Sequence, residues 1–458
     1  MEYILQLEKQ QKYKLFWSVI AMTVLLFLFS VLFLGFNGVL LYAFLLFLTV
    51  ITPLFLGRYA FFIILWVLFV SYFDLFKQIK VGGTNPINFA IAAFSTPFTI
   101  ILVYKKFHEV VKELPYVKYL MLFALIVFLN FFRYGTSLNS FVEIFKYFIA
   151  LLMVFCTYSY LKTNPAENIF KWINIFMITN CFAAFFQRLT GFGLMIVEGV
   201  PRIQGFLGHP NSLAFAINIF LPVATYQFIN AKTKQQKILW GFSIVINLLT
   251  LLLTFCKIGY IALLFCLLVL FLYVPVKIKK RMFFSGIALF VLIILINYLF
   301  NLQIVESIIN RTANNDSFIW RLTVWKLLIA HLNPSSYLLG NGIYSASNYM
   351  ATMPLLGNQF IHNVYIQYFY EYGILSIFFF LIFLNPAIKF IKAVFVYKVK
   401  DRKTYIFPLL IIAQVFINCL TDHSILAKTI LFITLIAITI FYMQLNDELK
   451  ANSLTKTK

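Results

Sequence analysis

Charge is scarce in this 458-residue chain, at 11% of residues, and negative charge is scarcer still: 15 Asp and Glu stand against 37 Lys and Arg. Soluble domains carry about 25% charged residues. With 62% of its residues hydrophobic, a water-soluble enzyme of this composition would have nowhere to put its apolar side chains, and that class is excluded. The five cysteines (Cys156, Cys181, Cys256, Cys266, Cys419) show no CxxC spacing and fall inside apolar runs. They read as small packing residues. The chain also lacks a Walker A loop, a GxGxxG turn and a nucleophile elbow, and no internal repeat or low-complexity tract is visible.

What is abundant is apolar sequence in runs, among them Leu25–Leu34, Ile244–Thr254 and Ile287–Phe300. A membrane-crossing helix needs about 20 mainly apolar residues. The reading is an all-α, polytopic integral membrane protein, a single transmembrane domain over 1–458 with about fourteen spans and no fewer than about twelve. The spans are placed at 15–36, 39–56, 59–73, 86–104, 117–132, 138–160, 168–187, 211–229, 238–255, 258–275, 283–300, 363–388, 405–420 and 425–443. The first is expected to stay in place, since it has no small-residue cleavage site and is too long for a signal peptide.

The net charge of +22 invites a nucleic-acid reading, which the charge positions refuse. Nucleic-acid binders gather their cations on one face, whereas here they sit in short clusters between apolar runs: Lys9/Lys12/Lys14, Lys105/Lys106/Lys112, Lys232/Lys234/Lys237, Lys277/Lys279/Lys280/Arg281 and Lys389 through Lys403. With both termini cytoplasmic, every cluster falls on the cytoplasmic side, as the positive-inside rule requires.

Two connections on the external side stand out. One, Arg188 to Pro210, is rich in glycine; the other, 301–361, is the longest segment between spans. Long loops in compact proteins are functional or disordered. This one is read as an external lid, with Asp316-Ser317 as a helix cap and an amphipathic helix near 317–332 carrying Trp320, Val324, Leu327 and Leu328.

External cations run against the positive-inside rule and are informative for that reason. Arg202 and Arg321 lie in the two long connections, and Lys257 interrupts an apolar run at a turn between spans. A charge that deep is a functional-site hypothesis by default, and converging cations suit a pyrophosphate at a lipid headgroup. His362 stands at the outer start of a span and can accept a proton near neutral pH. Asn363, Gln367 and Glu371 follow at i, i+4 and i+8, forming one polar stripe on an aromatic helix. Glu143 and Lys146 are expected to pair with each other. The external carboxylates Asp74, Glu198, Glu306, Asp316 and Asp422 stand apart in sequence; a divalent metal wants one or two convergent ones, so neither a catalytic metal nor a cofactor is expected.

Three segments carry a resemblance: Arg202-Ile-Gln-Gly-Phe-Leu-Gly-His-Pro-Asn211; Arg321-Leu-Thr-Val-Trp325 followed by Leu339-Gly-Asn-Gly-Ile343; and His362-Asn363 with Glu371-Tyr-Gly373. In this order and topology the chain resembles the O-antigen polymerase and O-antigen ligase superfamily of bacterial membrane glycosyltransferases. That family usually has an arginine where this chain has Lys257, which keeps the charge and loses the guanidinium fork. The resemblance implies a metal-independent transferase of the C-type glycosyltransferase class in the bacterial inner membrane. Its donor and acceptor would be glycans on undecaprenyl pyrophosphate, with a chain-length regulator as a protein partner. Arg202, Lys257 and Arg321 would hold the pyrophosphate, and His362 would activate the acceptor hydroxyl. Polymerisation of repeat units into O-antigen, capsule or exopolysaccharide is the first reading, and ligation of glycan to a lipid core the second. A lipid-linked-sugar flippase is the third: it fits the span count, but its two repeated halves are not visible.

Overall fold

The computed structural model describes residues 59–69, 106–134, 138–197, 200–273, 316–352, 361–420 and 427–456, with a few single positions beyond these, Asp422 among them. The expected spans at 15–36, 39–56 and 86–104, and most of 283–300, lie outside the described residues.

A chain this apolar must satisfy its backbone polar groups within each segment, which favours helices. In chain order they are α1 (Tyr59–Phe69), α2 (Lys106–Glu113), α3 (Val117–Tyr134), α4 (Leu138–Leu161), α5 (Glu167–Thr190), α6 (Pro210–Asn230), α7 (Lys234–Leu253), α8 (Lys257–Tyr273), α9 (Asp316–Ala330), α10 (Ser336–Leu339), α11 (Ser345–Ala351), α12 (Val364–Tyr372), α13 (Ile377–Phe395), α14 (Ile406–Cys419) and α15 (Lys428–Lys456). A short hairpin, β1 (Met195–Val197) and β2 (Val200–Arg202), sits between α5 and α6. Among the described residues, 6 helices are long and apolar enough to cross a membrane, or up to 7 if the bent pair α2–α3 is one span. These account for part of the count of about fourteen that the apolar runs suggest.

Local chemistry sets the helix ends. Thr233 and Gln236 form a capping box that starts α7, and Gly191, at φ 75°, closes α5. Pro115 has no N–H to continue a helix, and at that point the chain turns by 117° between α2 and α3. The glycine of the Glu-Tyr-Gly segment, Gly373, interrupts α12 and α13 with a 3-10 turn.

The core is built around α15, whose Ile430 through Met443 are nearly all buried. Helices α4, α6 and α14 pack around it. Its threonines cost little in this setting, because Thr434 and Thr439 bond the carbonyls of Ile430 and Leu435 in their own helix.

Helix direction divides the molecule into two ends. His362 and Asp422 precede the first turns of α12 and α15, and Asn211 starts α6. Lys389, Asn446 and Lys450 lie near the far ends of α13 and α15, and Lys234 follows the far end of α6. At 1.5 Å per residue these helices separate the two groups by most of a bilayer's thickness.

Candidate functional site

The glycine-rich connection after α5 is not a free loop. Gln187 on α5 turns its Oε1 to the backbone N–H groups of Gln204 and Gly205, at 3.0 and 2.9 Å, and Asn180 accepts from Phe206 N at 3.1 Å. Gly205 has φ 56°, and a Cβ there would meet the Asn180 carbonyl at 3.0 Å, so only glycine fits. The hairpin and this anchored turn deliver Arg202 to the interior, where it is 2% exposed.

From Arg202 a line of side chains runs across four segments. Arg202 Nε donates to the Thr254 carbonyl at 2.6 Å, and Nη2 donates to Asn211 Oδ1 at 2.6 Å. Asn211 Nδ2 then donates to Asp422 Oδ2 at 2.6 Å. The same Asp422 oxygen lies 3.6 Å from His362 Nδ1, an ion-pair distance somewhat longer than a hydrogen bond. Asp422 is 2% exposed, so its carboxylate is held in place by these neighbours rather than by water.

The line gathers three helix N-termini. Asn211 is in the first turn of α6, Thr254 closes α7 three residues before α8 begins at Lys257, and His362-Asn363 precede α12. Asn363 caps α12 by accepting from Ile366 N at 3.0 Å, and its Nδ2 donates to the Leu420 carbonyl at 2.9 Å, beside Asp422. A helix N-terminus carries partial positive charge and unsatisfied N–H groups and attracts anions. Three of them with an arginine and a lysine make this end of the bundle suited to a phosphate-bearing group.

Two non-glycine residues in the left-handed region flank the network: Phe255 at φ 48° and His362 at φ 54°. Such conformations cost of order 1–3 kcal/mol each and persist only where the surroundings impose them.

Arg321 lies on α9, and it is the residues beside it that meet the network. Its neighbour Trp320 meets the His362 ring edge to face, with centroids 6.3 Å apart. Four residues on from Arg321, Trp325 Nε1 donates to the Ile361 carbonyl at 2.9 Å. Helix α9 buries Val324 and Leu328 against this region but exposes Ile319, Leu322 and Ile329, so its apolar surface extends beyond one buried stripe. At the end of α9, His331 Nδ1 lies 2.6 Å from Tyr370 Oη, and its ring stacks on Tyr349 at 4.0 Å. The Gly340–Gly342 turn is seated on the end of α12: Asn341 N donates to the Tyr370 carbonyl at 2.9 Å, and Gly342 N to that of Glu371 at 3.0 Å.

The polar stripe divides. Asn363 belongs to the network around Asp422, whereas Gln367 Nε2 donates to Glu371 Oε1 at 3.3 Å in a deeper cluster. Glu371 is buried, and Glu143 and Lys146 pair with each other beside the bonded Tyr147 and Tyr368 hydroxyls. Asp422, isolated in sequence, turns out to be the residue through which His362 and Asn211 meet. No local pattern marks it, since the contact to Asn211 spans 211 residues of chain. Among the described residues no three His, Cys, Asp or Glu side chains gather as a metal site.

The helices and this network are those of a multi-pass membrane protein in which three helix N-termini and Arg202 gather at one end around a histidine–carboxylate pair. Residues 242–381 match the family model described as O-antigen ligase. The chain thus carries a domain of that type, consistent with the O-antigen polymerase and ligase superfamily, and the match includes Lys257, Arg321, His362 and Glu371. A comparison with curated proteins found no match.

Proposed function

We propose that this protein is a glycosyltransferase of the inner membrane that joins undecaprenyl-pyrophosphate-linked repeat units into O-antigen, capsule or exopolysaccharide at the external face. The matched domain supports membrane function of the O-antigen ligase or polymerase type. The observation that carries the reading is the continuous line Arg202–Asn211–Asp422–His362.

The chemistry follows from that line. A sugar hydroxyl attacks the anomeric carbon of the donor; the bond from that carbon to the pyrophosphate oxygen breaks, and the pyrophosphate leaves with the electron pair. His362 takes the hydroxyl proton, and Asp422 orients the ring and stabilises the imidazolium formed. Lys257, Arg321 and the N-terminus of α8 meet the charge growing on the pyrophosphate, the kind of fixed electrostatic support that lowers a barrier most. Arg202 sets the positive wall of the site while tying α6 to the turn before α8. The cations replace a metal in this scheme, so activity is independent of divalent ions. The His362 end is external and both termini are cytoplasmic, which puts the basic far end on the side that the positive-inside rule favours.

The ligase reading shares this chemistry and differs in acceptor, and the family match is common to both readings. Gel analysis of surface glycan after gene deletion separates the two. Glycan of single repeat length supports the polymerase; long lipid-linked chains left unattached support the ligase. Unchanged surface glycan excludes both.

A further inference from the structure

His362 is held from both sides of its backbone. Its φ of 54° lies in the left-handed region, which a non-glycine residue keeps only where the surroundings impose it. The torsion φ is the rotation about the N–Cα bond, so it sets the plane of the Ile361–His362 peptide against the His362 side chain. That peptide is a rigid plane, and a contact that fixes the Ile361 carbonyl therefore restrains φ of His362. On the other side, Asn363 is tied down as the cap of α12 and by its bond to the Leu420 carbonyl.

The group that fixes the Ile361 carbonyl is Trp325, whose Nε1–H donates to it at 2.9 Å. Trp325 belongs to α9, which packs through Val324 and Leu328 into a small core with Ala346, Met350, Ile361 and Tyr370, separate from the core of the bundle. An indole carries one donor on a large, rigid body. Seating the ring against this core places the donor, and the donor places the peptide. A partly buried tryptophan finds some acceptor for its N–H in most folds; what sets Trp325 apart is which carbonyl it takes. The same helix also brings Trp320 edge to face against the imidazole, with centroids 6.3 Å apart.

We infer that Trp325 is a positioning residue for His362: through the Ile361 carbonyl it holds the imidazole in its strained backbone setting, beside Trp320. The assignment rests on the reading of His362 as the base. The margin is small. His362 Nδ1 lies 3.6 Å from Asp422 Oδ2, already longer than a formed hydrogen bond, so a modest turn of the peptide carries the ring out of the carboxylate's reach.

The test is modification by diethyl pyrocarbonate of the full-length protein in nanodiscs, with the rate at His362 followed by mass spectrometry. Trp325→Phe removes the donor and keeps an aromatic ring. Benzothienylalanine in place of Trp325 removes the donor alone, since sulfur replaces the N–H in a ring of nearly the same shape. Each is expected to raise the rate at His362 about three- to tenfold, the scale of one hydrogen bond. In glycan extension by reconstituted protein, each is expected to lower kcat by up to about tenfold, at an unchanged KM for the lipid-linked donor. A wild-type rate of modification with benzothienylalanine overturns the proposal, because Trp325 then serves only by its shape. A raised KM at wild-type kcat also overturns it, because the residue then meets substrate. Modification is read without turnover, so its failure is separate from failure of the base assignment, which the activity of His362→Ala decides.

Discussion

Asp422→Asn isolates the contribution of the histidine–carboxylate pair without emptying the site. The amide has nearly the same shape, and its oxygen can still accept from Asn211 Nδ2, which now holds Asp422 Oδ2 at 2.6 Å. What disappears is the negative charge 3.6 Å from His362 Nδ1. General-base catalysis contributes about 10²–10⁴-fold, which bounds what the pair can supply. Asp422 acts through His362, and its contact is longer than a formed hydrogen bond, so its share is the smaller part of that range. We expect turnover to fall about 10–10²-fold, equivalent to about 1.4–2.7 kcal/mol in the barrier. KM for the lipid-linked donor should change little, because the pyrophosphate meets the cations rather than Asp422. The assay is glycan extension by purified, reconstituted protein, read as product per unit of correctly folded enzyme. The double variant His362→Ala/Asp422→Asn should be no slower than His362→Ala, because residues that act as a unit are not additive. Wild-type turnover in Asp422→Asn, or a further loss in the double variant, refutes the assigned pairing.

Three further outcomes are expected. Lys257→Arg should keep activity within about threefold, whereas Lys257→Ala should lose about 10²-fold, the cost of removing one group that stabilises developing charge; equal activity of the two in the same extension assay would remove Lys257 from the site. Gly340→Ala should destabilise the protein by about 1–3 kcal/mol or more, seen as a lower Tm in detergent, because Gly340 has φ 73° and a Cβ there would lie 2.2 Å from the Glu371 carbonyl oxygen. Burial works against ionisation of Glu113, but Lys162 at 3.0 Å and Lys450 at 3.1 Å from its Oε1 outweigh it and hold the carboxyl below its ordinary value. This carboxyl contributes stability that is present above its unfolded pKa of about 4.3 and is lost as pH falls through its folded value. The wild type should therefore lose more Tm than Glu113→Gln on going from neutral to strongly acid pH, and parallel curves would show that the Lys162 and Lys450 contacts carry no such linkage.

The long apolar runs were legible, and for a physical reason. In a bilayer a run such as Leu138–Leu161 or Pro210–Asn230 has no alternative to a helix, and the helices found there begin and end within a few residues of the expected spans. Short structures were not legible. The hairpin at 195–202 has only three residues per strand, too few for alternation to show, and the sharp turn at Pro115 separates a helix, α2, whose charges masked it as a loop. Helix α15 runs on past the expected end near 443 to Lys456, because its polar last turns bond Glu113, Lys398 and Lys400 rather than water. At the site, cations stood out one by one because each is expensive outside the cytoplasmic loops. The carboxylate beside them did not: Asp422 has no sequence neighbour that marks it, and it meets Asn211 only when α6 and α14 pack together. Likewise the stripe from Asn363 to Glu371 is correct in its spacing, but helix rotation over eight residues carries its lower end into a separate buried cluster.

If His362 removes the acceptor proton as a lipid pyrophosphate departs, glycan extension and polyprenyl pyrophosphate release fall together when His362 is lost. Proteoliposomes of wild type and His362→Ala, incubated with a polyprenyl-pyrophosphate-linked repeat unit, give both quantities: glycan length and polyprenyl pyrophosphate released. The wild type should release one polyprenyl pyrophosphate for each unit added, while His362→Ala, inserted at normal abundance and with an unchanged Tm, should fall about 10²–10⁴-fold in both. Extension and release at the wild-type rate by a well-folded His362→Ala protein would show that His362 is not the base.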